Sequence, residues 1–214
     1  MRNESSDMTK KKHREEVFWL GKQAEEAGDY DAAAMKYQEA VDLKYVPAEL
    51  ALGKLYYFGA GVPQDYEKAH LYLQRAREKI KNREKTAEAL YYLAQLFRHG
   101  LGVDQSSMRA HNRLQLAAKL GNSDAMCMLG EMFENGECAW NKSRRLREEY
   151  WYREAAYAGN TQAMHRLIQL YKNGECGVQK DDAEAEYWSE QVDAAEKKNR
   201  VDLDKIMHDD VLEI

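Results

Sequence analysis

Cys127 and His165 are the residues best suited by type to covalent chemistry, because a thiol beside an imidazole is the minimum for nucleophilic catalysis. Metal chemistry would draw on six histidines (His13, His70, His99, His111, His165 and His208) and on Cys127, Cys138 and Cys176. No two histidines are spaced i, i+4, the spacing that presents both to one ion from a helix. Phosphate chemistry would draw on Gly59-Ala60-Gly61 and Gly100-Leu101-Gly102, but neither follows a strand pattern, which a dinucleotide fingerprint requires. No Gly-x-x-x-x-Gly-Lys loop is present. The sequence therefore predicts no cofactor and no metal.

The elements that position these residues are repeated. Residues Ala48 to Gly59 read Ala-Glu-Leu-Ala-Leu-Gly-Lys-Leu-Tyr-Tyr-Phe-Gly. The pattern of Ala, then Leu with a small residue, then an apolar-aromatic pair, then Gly returns at Ala89–Gly100, Ala125–Gly136 and Ala163–Gly174, with Ile168 the one departure at the small position. Each copy runs into a short glycine loop and a second helical pattern, carrying Ala69 and Ala76, Ala110 and Ala117, or Ala155 and Ala156. Gly121 and Gly159 stand where glycine ends a helix in the left-handed conformation. Gly21 and Gly28 fit a further helix–turn–helix unit upstream, so all 13 glycines take repeat positions.

Composition agrees. The 214 residues include 27 Ala and 20 Leu against 16 Val, Ile and Thr together, too few β-branched residues for a sheet-rich chain and well suited to helices. No run approaches the roughly 20 apolar residues of a membrane span. The net charge of −5 disfavours sequence-independent nucleic-acid binding. The first residues hold no apolar run, so no secretory signal is expected. Three cysteines, an odd number without a dense framework, suit reduced thiols and a cytoplasmic protein.

Residues 48 to about 195, with their Leu-Gly-x-x-Tyr and Gly-x-Gly-Val elements, resemble tandem Sel-1-like repeats. Residues 17–46 resemble a tetratricopeptide hairpin, through Leu20-Gly21 and Gly28-Asp29-Tyr30 followed by Ala33, Tyr37 and Ala40. The resemblance implies an all-α, right-handed solenoid of about five antiparallel helix pairs with a concave binding face. The expected divisions are a disordered polar tail over 1–16, a helix pair over 17–46, and repeat units over 47–86, 87–124, 125–162 and 163–197. A capping helix with an acidic tail is expected over 198–214. The charged stretch 77–85 reads as the running end of a second helix and a linker. Tyr30, Tyr37, Tyr56 and Tyr171 read as repeat core.

Equivalent positions one repeat apart are expected roughly 20 Å apart, given about 8–10 Å between helix axes. That spacing opposes a Cys127–His165 dyad, a shared ion on His70 and His111, and a Cys138–Cys176 pair. By resemblance, first helices build the concave face. Three outward registers then give its lining: Leu50, Tyr91, Cys127 and His165; Lys54, Gln95, Glu131 and Gln169; Tyr57, Arg98, Glu134 and Lys172. Such a groove is aromatic and basic early, acidic in the middle and basic at the end, suited to a polar or helical peptide. The expected function is a non-enzymatic adaptor or scaffold for a protein or peptide. A narrower role implied by the resemblance is an immunity protein that blocks a toxic enzyme, and a hydrolase comes third.

Overall fold

The structure, a computed structural model, describes residues 4–138 and 147–209, with side chains over 10–138 and 148–198. Among the described residues there are ten helices and no strand: α1 (Glu4–Glu26), α2 (Tyr30–Asp42), α3 (Val46–Phe58), α4 (Tyr66–Lys79), α5 (Arg83–His99), α6 (Ser107–Lys119), α7 (Ser123–Glu134), α8 (Arg147–Tyr157), α9 (Thr161–Asn173) and α10 (Asp182–Asp209). The fold is all-α and built from helix pairs. Two compact units divide it, residues 1–120 with α1 to α6 and residues 121–214 with α7 to α10.

Short polar side chains start the helices. Asp29, Asp65, Asn82, Ser106, Asn122 and Asn160 each accept a hydrogen bond from a backbone N–H three residues on, satisfying a donor the helix leaves orphaned. Pro47 sits in the first turn of α3, where its missing N–H is harmless. Gly59, Gly100 and Gly174 end α3, α5 and α9 in the left-handed conformation.

In the first unit, α1/α2, α3/α4 and α5/α6 pack as pairs, α2 meets α3, α4 meets α5, and α3 also touches α5. One part of the core joins Phe18, Tyr37, Leu52 and Leu55; another joins Leu50, Leu73, Leu93 and Leu96, each with buried alanines between. In the second unit α7 pairs with α8, α8 meets α9, and α9 pairs with α10. Its core gathers Tyr152, Leu167, Leu170, Tyr171 and Trp188.

The glycine of the Leu-Gly pair sets how closely a pair can pack. A Cβ on Gly130 would lie 2.7 Å from the Tyr152 ring, and one on Gly21 2.7 Å from the Tyr37 ring. The second glycine of each Gly-x-Gly loop acts between pairs. A Cβ on Gly61 would stand 2.0 Å from the Tyr30 carbonyl oxygen at the start of α2, and one on Gly102 2.6 Å from the Glu67 backbone nitrogen in α4.

Several expectations need correction. Residues 4–16, expected as a disordered tail, are helical. The stretch 4–20 has neither Pro nor Gly and is rich in Lys, Glu and Arg, which extend a helix at little cost. Residues 77–85 are not one running helix: α4 stops at Lys79, and Asn82 caps α5. From residue 198 to Asp209 the chain continues α10 instead of starting a new helix. The acidic tail at 210–214 and the apolar side chains from Val201 onward lie outside the described residues. Tyr30, expected in the core, is 43% exposed because it opens α2 beside a loop.

Candidate functional site

The first helices α3, α5, α7 and α9 carry the residues singled out as an interaction face. In the first unit they form an aromatic patch. Tyr57, half-buried near the end of α3, has ring centroids 5.0 Å from Phe58, 5.9 Å from Tyr66 and 5.3 Å from Tyr92. Burial, then the neighbouring Tyr91 and Tyr66, raise the pKa of its hydroxyl. Tyr91 packs edge-on against Tyr92, and its hydroxyl accepts a 3.1 Å hydrogen bond from Gln95. Lys54 reaches from α3 to Glu88 on α5 at 2.6 Å and lies 5.7 Å from the Tyr92 ring. Beside this patch, Phe58 is 57% exposed.

Two predicted lining residues do not belong there. Leu50 is only 4% exposed and packs with Leu73 and Leu93. Arg98 is 9% exposed, with its backbone carbonyl accepting from Gln105. Both sit on helices packed on more than one side, α3 by α2, α4 and α5 and α5 by α3, α4 and α6, so a register read as outward meets a neighbouring helix.

In the second unit the corresponding face holds a cavity of about 370 Å³ lined by Cys127, Glu131, Glu134, Tyr152, Gln162, His165, Arg166 and Gln169. Glu131 accepts a 2.9 Å hydrogen bond from Gln162. Glu134 accepts one from the Tyr152 hydroxyl at 2.7 Å and two from the Arg166 guanidinium, one of them from Nε at 3.1 Å. Arg166 also reaches Glu175 at 2.7 Å. These two carboxylates hold the arginine firmly charged, with the Glu134 hydrogen bond the leading cause. Burial, then the Glu134 bond, drive the Tyr152 hydroxyl pKa far up, so Tyr152 acts as a donor and not as a base. His165, Gln169 and Lys172 are exposed, Lys172 outside the cavity lining.

The expected 20 Å between equivalent positions is also corrected. Within the second unit the side chains of the two first helices meet, Gln162 on α9 donating to Glu131 on α7 at 2.9 Å. Cys127 and His165 therefore do line one cavity. The thiol is nonetheless unfit as a nucleophile. It is 3% exposed, and burial, then Glu131 and Asp124, push its pKa up to about 12. Among the described residues, no group of three or more His, Cys, Asp or Glu is placed to hold a metal ion. No described helix is long and apolar enough to cross a membrane.

Sequence reasoning missed Phe58, Glu88, Tyr92, Tyr152, Gln162 and Arg166. For Phe58 the signal was available: an aromatic residue directly before the terminal Gly59 lies past the last buried turn. The others depend on contacts between elements far apart in the chain.

A family model for the Sel1 repeat matches residues 46–79, 87–122, 123–144, 149–160 and 161–191, leaving α1 and α2 outside. The alginate biosynthesis protein AlgK of Pseudomonas syringae pv. tomato is 36% identical over 90 residues, 42% of this chain and 18% of that protein. AlgK of Azotobacter vinelandii is 36% identical over 89 residues, again 18% of its length. The chain thus spans only a small part of these curated relatives. The fold is similar to the crystal structure of a Sel1 repeat protein from Oxalobacter formigenes, with a TM-score of 0.71 and 26% identity, covering 82% of this chain and 69% of that one.

Proposed function

The chain belongs to the Sel1 repeat family, whose members generally mediate protein–protein interactions, and from that premise we propose that it is a non-enzymatic adaptor or scaffold. Its binding surface is the first-helix face of each unit, and its partner is a protein or peptide. The observation that carries this reading is the patch around Phe58. An aromatic side chain more than half exposed, flanked by half-buried Tyr57 and Tyr92 and a lysine, has the composition of a binding hot spot. In the second unit, His165, Gln169 and Lys172 offer polar contacts around a cavity whose carboxylates are held in place by Arg166 and Tyr152. A non-catalytic role is supported by the raised pKa of Cys127, and a cytoplasmic setting by three free cysteines.

The experiment is affinity capture from native lysate followed by mass spectrometry, comparing wild type with Phe58→Asp and Lys172→Glu. Both side chains are exposed, so the circular dichroism spectrum should be unchanged while specific partners are lost. Recovery of the same proteins by the double variant would sink the assignment of this face.

A further inference from the structure

A cavity of about 410 Å³ lies in the first unit among α4, α5 and α6, lined by His70, Gln74, Phe97, Arg109, Asn112 and Arg113. It is formed mainly by second helices and shares no residue with the surfaces above. Its charge is one-sided. Arg109 and Arg113 line it, and Arg77 on α4 is close enough to repel Arg113. Arg77 is 3.7 Å from Glu78, while among the described residues no carboxylate forms an ion pair with Arg109 or Arg113. Burial, then Arg77 and Arg109, lower the pKa of the Arg113 guanidinium, and burial with Arg113 does the same to the His70 imidazole.

The same cluster holds unmet hydrogen-bonding capacity. The Nε–H groups of Arg77 and Arg113 are both buried without an acceptor. A buried donor so placed carries its full desolvation penalty, and a charged one more. One wall is apolar: the Phe97 ring lies 5.6 Å from the His70 ring and 5.5 Å from the Arg109 guanidinium.

We infer that this cavity binds a small phosphate monoester, its phosphoryl oxygens on Arg109 and Arg113 and its organic body against Phe97. The planar guanidinium matches phosphate oxygens two at a time. Three clustered arginines favour a group carrying close to two negative charges over a single carboxylate. The volume is in the range of small-molecule sites, roughly 300–1,000 Å³. A nucleic acid is disfavoured by the net charge of −5. The site does not depend on the adaptor reading.

The test is isothermal titration of the full chain with phenyl phosphate, set against inorganic phosphate, benzoate and hexaglutamate at matched ionic strength. Saturable binding of phenyl phosphate is expected, with benzoate and inorganic phosphate weaker. The Arg109→Gln/Arg113→Gln double variant should bind at least about tenfold more weakly, the loss of charge-assisted hydrogen bonds. Asn112→Asp, at an exposed position, keeps the fold and sets a negative charge in the lining, so it should weaken binding as well. Phenyl phosphate that does not saturate, or that binds both variants like wild type, overturns the inference. Tighter binding of benzoate or hexaglutamate overturns it too, by assigning the site to carboxylates.

Discussion

The hydroxyl of Tyr152 donates a 2.7 Å hydrogen bond to Glu134, which stands four residues after Gly130 on the facing helix. The arrangement recurs in the first unit. Tyr37 donates at 2.5 Å to Glu25, four residues after Gly21. In both, the tyrosine ring lies against the glycine, and its hydroxyl reaches the carboxylate one helical turn on. Where Gly53 faces Leu73, a side chain without a hydroxyl, the residue four positions on is Tyr57 instead of an acid.

Gly130→Ala should therefore destabilise the second unit by about 1–3 kcal/mol, because the new methyl meets a buried ring. Adding Tyr152→Leu should cost less than the sum of the two single changes. Urea titrations of the single and double variants measure the coupling, and strict additivity would count against this packing account.

Glu25 links stability to pH. Burial opposes its ionisation, but hydrogen bonds from Tyr37 and Lys22 outweigh that and hold its carboxyl below the usual carboxylate range. A carboxylate with a depressed folded pKa contributes stability that is present above its unfolded pKa and is lost as pH falls through the folded one. Glu25→Gln should thus be less stable than wild type at pH 7, and the gap should narrow by pH 3. Equal gaps in urea titrations at both pH values would falsify the role given to this carboxylate.

Glycines with the same backbone sign should differ sharply in cost. Gly61 and Gly159 both have positive φ, 65° and 89°. A Cβ on Gly61 would collide with the Tyr30 carbonyl, whereas one on Gly159 meets nothing within 4 Å. Gly159→Ala should lose only the backbone term, about 1 kcal/mol. Gly61→Ala should lose clearly more, seen as a larger fall in Tm; similar falls would contradict the docking of that loop.

Thiol reactivity should follow exposure. Cys176 is exposed while Cys127 and Cys138 are buried. Iodoacetamide at neutral pH should label Cys176 alone in the folded protein and all three after denaturation. Mass spectrometry reads this directly, and prompt labelling of Cys127 would reopen the case for chemistry at its cavity.

Some helix ends were legible because they depend on local chemistry, as with the left-handed Gly121 and Gly159, whereas the stop at Lys79 and the Asn82 cap of α5 were read through as a running helix. The exposure of the candidate face was legible only in part. Tyr57, Tyr91, Glu131 and Glu134 are half-buried where the register expects access, but Leu50 and Arg98 are buried, since a small error in helix phase turns a surface position into a buried one. The links from Lys54 to Glu88 and from Arg166 to Glu134 join residues more than 30 positions apart, and no local pattern announces them. The same contacts explain why a spacing of 20 Å was too long.

The seating of Gly61 on Tyr30, and of Gly102 on Glu67, gives the first unit a direction. In each case the later loop needs a surface supplied by the earlier pair, and the earlier pair needs nothing in return from that loop's glycine. In a polypeptide leaving the ribosome each seat precedes the loop that fills it, Tyr30 before Gly61 and Glu67 before Gly102. Reordering these repeats by circular permutation would break that succession, even with every pair kept intact.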